Sequence, residues 1–176
     1  MNKKLTLAID ASTKSTGIAV FEDKELIEYK CITASSTNLY KRIDIMVAGL
    51  KDILDKYKFD FVVIEDVIPD DVNNNQNTYK ALTYLQGYFL HLLDDYKLKH
   101  KFFTSSEWRK KCGIQTGPGV HRDTLKKKDV EFVKNKYGLT VNDDIADAIC
   151  IGYAETNPPI PVKKDIPIEF GDFEFK

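Results

Sequence analysis

Leu5-Thr6-Leu7-Ala8-Ile9-Asp10, followed by Ala11-Ser12-Thr13-Lys14-Ser15-Thr16-Gly17, is the stretch on which the fold turns. Its first half alternates apolar and small residues over the length of a buried strand. Asp10 closes that strand, where an ionised carboxylate is costly without a partner. Small hydroxyl residues and Gly17 then give the composition of a tight turn. Ile18-Ala19-Val20-Phe21 comes straight back as a second apolar run. The stretch predicts a hairpin with one acid near the middle of a sheet. The rest of the chain is read for what else converges on Asp10.

Outward from the hairpin, Glu25 to Ile32 alternates as a third strand. Ile43, Met46, Val47, Leu50, Ile53, Leu54 and Tyr57 then recur at helical spacing. Phe61-Val62-Val63-Ile64 is a continuous apolar run, as in a strand buried on both faces, and it too stops at an acid, Glu65. Ile68 to Asn77 reads as an Asp/Asn-rich loop. A helix from Gln76 to Asp95 follows, with Leu82, Leu85, Phe89, Leu92 and Leu93 on one face and Tyr79, Tyr84 and Tyr88 as further aromatic surface. Lys101 to Thr104 is a short fifth strand, and Ser105 or Ser106 is the expected cap of a helix through Lys111. The glycine-bearing loop Gly113 to Gly119 lacks the Gly-Lys-Ser/Thr of a phosphate-binding P-loop. A basic helix ends at Gly138, and Asn142-Asp143 caps a last helix that Asn157-Pro158-Pro159 stops. This order predicts a mixed five-stranded sheet flanked by helices. The domain is expected to span residues 1–156, with 157–176 as a C-terminal tail that adds an edge strand or stays mobile.

At 176 residues the chain is long enough for one domain that buries roughly 70% of its unfolded surface. Cys31, Cys112 and Cys150 are widely spaced, which argues for a reducing compartment and against a thiolate metal site. No signal-peptide core or membrane-length apolar run is visible, so a soluble, cytoplasmic protein is expected. The net charge of −1 hides an asymmetry. Residues 97–136 hold twelve Lys or Arg against four acids, while residues 137–176 hold three against eight.

Asp144 and Asp147 share a face of the last helix. Their apolar neighbours predict that this helix is largely buried, where two like charges repel unless a cation lies between them. Singly, each acid has a plain explanation: Asp10 as a turn residue, Glu65 as a solvated strand end, Asp144 as a first-turn helix acid. As a set, Asp10, Glu65, Asp144 and Asp147 demand four coincidences, and Asp147 has no cheap explanation. Carboxylates without His or Cys suit a hard cation, Mg²⁺ or Mn²⁺. Two such ions about 4 Å apart activate a water and stabilise a leaving oxygen in phosphodiester hydrolysis.

Leu7-Ala8-Ile9-Asp10 with Thr16-Gly17, Val63-Ile64-Glu65, and Asp144-Ile145-Ala146-Asp147-Ala148 resemble the three acidic motifs of the RuvC-type Holliday junction resolvases. These are crossover junction endodeoxyribonucleases of the ribonuclease H-like superfamily. The basic helix ahead of the last motif is most similar to the phage-type branch. The resemblance implies a ribonuclease H-like α/β fold. It implies that Asp10, Glu65, Asp144 and Asp147 are catalytic, metal-binding acids for two Mg²⁺ ions. It implies a homodimer formed through the helix from Gln76 to Asp95, acting on four-way junctions and other branched DNA. Arg109, Lys110, Lys111, Arg122, Lys126, Lys127 and Lys128 would hold DNA phosphates. The chain departs from the family at Ala11-Ser12, where Pro-Gly is usual, and at Ile68, where the cellular enzymes carry an aromatic residue. Alternatives are a ribonuclease acting on RNA–DNA hybrids, a junction-binding protein without turnover, and a sugar-kinase or actin-like ATPase. The last calls for a second phosphate hairpin and a second domain, and no second hairpin motif is read in these 176 residues.

Overall fold

The computed structural model describes residues 3–69, 76–117 and 119–161. The chain runs β1 (Leu5–Asp10), β2 (Ser15–Glu22), β3 (Glu25–Thr33), α1 (Leu39–Lys56), β4 (Phe61–Glu65), α2 (Gln76–Asp95), β5 (His100–Phe103), α3 (Ser105–Lys111), α4 (Arg122–Tyr137) and α5 (Asp143–Thr156). The five strands form one sheet in the order β3-β2-β1-β4-β5. β1, β2 and β3 are antiparallel neighbours, whereas β4 and β5 lie parallel to β1, as their helical crossovers require. The mixed five-stranded sheet expected from the sequence is therefore present. The Asp/Asn-rich loop falls largely outside the described residues, and so does the tail beyond Pro161. No helix among the described residues is long and apolar enough to cross a membrane.

Side-chain alternation splits the core into two layers. Leu7, Ile9, Ile18, Val20, Val62 and Ile64 face α1 and α2, where they meet Met46, Leu50, Leu85 and Phe89. Ala8, Ala19, Phe21 and Val63 face the other way, onto α3, α4 and α5. The small residues on this second face bring α5 close. A Cβ built on Gly152 would lie 2.2 Å from the Phe21 ring, and one on Gly17 would lie 1.9 Å from the Asp144 carbonyl oxygen. Close approach of α5 to β2 thus depends on glycine at two points.

Helix ends follow local chemistry. Asn38 accepts a hydrogen bond from Lys41 N–H and Asn142 from Ile145 N–H, each as N-cap. Gly138 ends α4 in the left-handed conformation, φ 70°. The cap of α3 corrects the expectation of a serine. Thr104 takes it, accepting from Glu107 N–H at 3.2 Å while Glu107 accepts from Thr104 N–H at 2.8 Å. A capping box needs Glu three residues after the cap, and Thr104 meets that spacing. Serving as cap, Thr104 leaves the strand, so β5 ends at Phe103.

Candidate active site

β1 and β4 pair in parallel register through Ile9 opposite Ile64. Asp10 and Glu65 therefore leave the sheet side by side, at the carboxyl ends of adjacent strands. Their side chains lie close enough for the Glu65 charge to act on Asp10. Asp10 titrates well above the ordinary carboxylate range. Burial is the main cause, the charges of Glu65 and Asp144 add to it, and Lys126 opposes it.

α5 delivers the other two acids. Asp144 lies over β2, where the Gly17 contact seats its backbone and Ser15 Oγ donates to its carboxylate. Asp147, one turn on, is 5% exposed, and its Oδ1 finds no hydrogen-bond partner among the described residues. Burial pushes Asp147 well above its ordinary range, Asp10 and Asp129 push it further, and Arg109 and Lys126 pull against them. Lys126 Nζ pairs with Asp143 and stands 4.0 Å from Asp147 Oδ2.

The four acids singled out in the sequence thus face one another. Their donor set is all oxygen, and a buried carboxylate atom without a hydrogen-bond donor is chemistry that a hard cation fits. As the side chains stand, Asp144 accepts from Ser15 Oγ, while Asp10 lies near Glu65 and Asp147 near Asp129. Among the described residues no three His, Cys, Asp or Glu side chains close around a point that would hold an ion. The fit to a hard cation rests on donor chemistry and on the orphaned Asp147 oxygen.

The basic residues divide. Lys110, Arg122 and Lys127 are exposed, and Lys128 is half-buried. Lys111 Nζ donates to the Ala154 carbonyl at 3.2 Å and lies over the Phe103 ring. Lys126 belongs with the acids. Arg109 stands apart from the other residues expected to contact DNA: it is 7% exposed, and its guanidinium pairs with the fully buried Asp129. Sequence reasoning missed Asp129 and Ser15. The available signal for Asp129 was a lone acid after Lys126-Lys127-Lys128 and four residues before the apolar Val133, hence on the helix's buried side.

Residues 1–156 match a family described as DUF3882, Lactococcus phage M3 protein. The chain belongs to the DUF3882 family. No curated protein sequence matches it. Among solved structures, this DUF3882 chain is similar to Thermus thermophilus RuvC in complex with Holliday junction substrate, with a TM-score of 0.69 at 13% identity over 89% of this chain and 99% of that one. The yeast mitochondrial Holliday junction resolvase Ydc2 gives 0.56 at 12% identity, over 86% of this chain and 77% of that one. The fowlpox virus resolvase, solved with Holliday junction DNA, gives 0.53 at 15%, over 86% and 97%. The DUF3882 chain therefore has the RuvC-type, ribonuclease H-like fold that its three acidic motifs resemble.

Proposed function

We propose that this chain is a divalent-metal-dependent endonuclease that cuts four-way DNA junctions and other branched DNA, acting as a homodimer in the cytoplasm. One observation carries the proposal: Glu65, Asp144 and Asp147 each lie near enough to the buried Asp10 for their charges to act on one another, where β1 and β4 end. A fold built for packing alone gains nothing from burying like charges together. The nuclease unit is residues 1–156, and residues 157–176 are a tail.

The four acids would hold Mg²⁺ or Mn²⁺, two ions to a site, with Asp10 central because Glu65, Asp144 and Asp147 all lie near it. Bound there, the ions would supply an activated water and charge stabilisation for phosphodiester hydrolysis. The chain's own part is positional. β1 and β4 fix Asp10 and Glu65 through ladder hydrogen bonds. Ser15 orients Asp144, and the body of α5 holds Asp147. Lys126, beside these acids, can meet a phosphate oxygen as DNA enters. Lys110, Arg122, Lys127 and Lys128 supply sequence-blind phosphate contacts whose strength falls with salt. The fold likeness to resolvases supports junction DNA as the substrate.

The second copy would dock on the outer face of α2. Tyr84 and Tyr88 are each 50% exposed there, and Tyr40 of α1 is 64% exposed beside them. With Thr83, Gly87 and His91 they line a shallow groove of about 470 Å³. Gly87 has open space above it, which lets a partner backbone approach.

The test offers a synthetic four-way junction, a replication fork and an RNA–DNA hybrid, each with and without Mg²⁺. Paired incisions in the junction that require Mg²⁺ are expected, with 5′-phosphate and 3′-hydroxyl ends. Cleavage of the hybrid with the junction left intact would favour a ribonuclease. Junction binding with no cleavage in Mg²⁺ or Mn²⁺ would favour a binder without turnover.

A further inference from the structure

Arg109 and Asp129 lie behind the acid cluster, on helices that have no neighbouring sequence in common. Arg109 Nε donates to Asp129 Oδ1 at 3.2 Å and to Oδ2 at 3.0 Å, and Nη2 donates to Oδ2 at 2.8 Å. The guanidinium carbon also sits 4.2 Å from the centre of the Trp108 ring, which is fully buried. Stacking fixes the plane of the guanidinium, and the fork fixes its rotation within that plane. Asp129 in turn faces Asp147 across the seam between α4 and α5, where Lys126, one turn before Asp129, stands 4.0 Å from Asp147 Oδ2. Cys150 Sγ donates to the Asp129 backbone carbonyl at 3.8 Å, which ties α4 to α5 one turn beyond Asp147.

We infer that Arg109 and Asp129 are a buried positioning pair that sets the direction of the Asp147 carboxylate, an inference that rests on Asp147 being a ligand in the proposed metal site. Stability does not require such a pair. Taking both charges out of water offsets most of their attraction, and apolar residues of similar volume often serve as well. The pair supplies direction instead. A rigid guanidinium holds one carboxylate, which faces the next, and Asp147 Oδ1 is left buried without a partner. This is the relation of an outer hydrogen-bonding group to a metal-ligating carboxylate, where removing the outer group weakens metal binding about 10–100-fold.

The experiment uses the full-length chain and three variants: Asp129→Asn, Arg109→Lys, and the apolar double replacement Arg109→Met with Asp129→Leu. Mn²⁺ binding is measured by titration calorimetry without DNA, together with junction binding in EDTA and thermal melting. The expected result is a cooperatively melting double variant with unchanged junction affinity and Mn²⁺ affinity weaker by about 10-fold. Arg109→Lys keeps the charge but removes the fork, so it is expected to weaken Mn²⁺ binding in the same direction, and it carries the test if the double variant does not fold. Unchanged Mn²⁺ affinity in a folded Arg109→Lys or double variant would overturn the positioning role. So would weakened junction binding with normal Mn²⁺ affinity, which would return Arg109 to the DNA surface. The nuclease proposal is judged separately, on whether wild-type protein cuts junctions, so the two can fail independently.

Discussion

Asp147 concentrates the tension between stability and function in one side chain. It is buried, faces Asp10 and Asp129, and titrates well above an ordinary carboxylate. Asp10 is shifted in the same direction, chiefly by burial. A carboxyl raised in the folded state costs nothing below its unfolded pKa of about 3.9, where both states are protonated. Above that value the unfolded chain releases its protons while the fold retains them, so stability declines until the folded pKa is passed. Metal-free protein is therefore expected to become less stable between about pH 4 and the raised folded values. Asp147→Asn removes the buried acid at nearly unchanged side-chain volume. It is expected to melt about 2–4 °C above wild type at pH 7.5 in EDTA, an effect of about 1 kcal/mol, with the gap closing toward pH 4. Melting curves across pH check this. A variant that melts below wild type at pH 7.5 would show that Asp147 is not strained. Added Mn²⁺ should raise the melting temperature of wild type and have little effect on Asp10→Asn.

At the scale of elements, the site depends on how closely α5 lies on β2. Gly17 is the seat of that contact, since any Cβ there meets the Asp144 backbone, which cannot rotate away. Gly17→Ala is expected to destabilise by about 1–3 kcal/mol and to abolish cleavage, because it lifts both α5 acids from Asp10. Full activity in this variant would mean that α5 has freedom the packing does not suggest. The strands, α1, α2 and α5 were legible in the sequence because each carries a strong period with a cap or an acid at its end. The four acids stand out in the sequence because two strands stop at carboxylates and one buried helix carries two more. What was not legible depends on packing between distant segments. Arg109 reads as one more cation in Arg109-Lys110-Lys111, and Asp129 as one acid in a solvated basic helix. Only the packing of α3 and α4 onto α5 shows that both are buried and paired. The β5 boundary differs for a local reason, because Thr104 serves the Thr104–Glu107 box better than it serves the strand.

For the whole molecule, two surfaces remain to be used. The outer face of α2 presents Tyr84 and Tyr88, and a junction with two symmetric arms calls for two sites. Tyr84→Glu with Tyr88→Glu is expected to convert a dimer to a monomer in sedimentation and to replace paired incisions with single nicks. A wild-type chain that sediments as a monomer at working concentrations would remove this part of the proposal. The exposed cations should govern salt dependence. Lys110→Gln with Lys127→Gln is expected to weaken junction binding and to reduce the slope of log affinity against log salt by about 0.9 for each phosphate no longer neutralised. The charge segregation seen in the sequence has a partial counterpart in the fold, since Lys126 belongs to the acids while Lys110, Arg122 and Lys127 face solvent. The proposed activity turns on the four carboxylates serving metal-dependent hydrolysis. The most direct measurement is incubation of a labelled four-way junction with wild type and Asp147→Asn in Mg²⁺, with junction binding followed in parallel. Wild type should cut, while Asp147→Asn should bind the junction as tightly and leave it intact. Undiminished cleavage by Asp147→Asn would contradict the assignment.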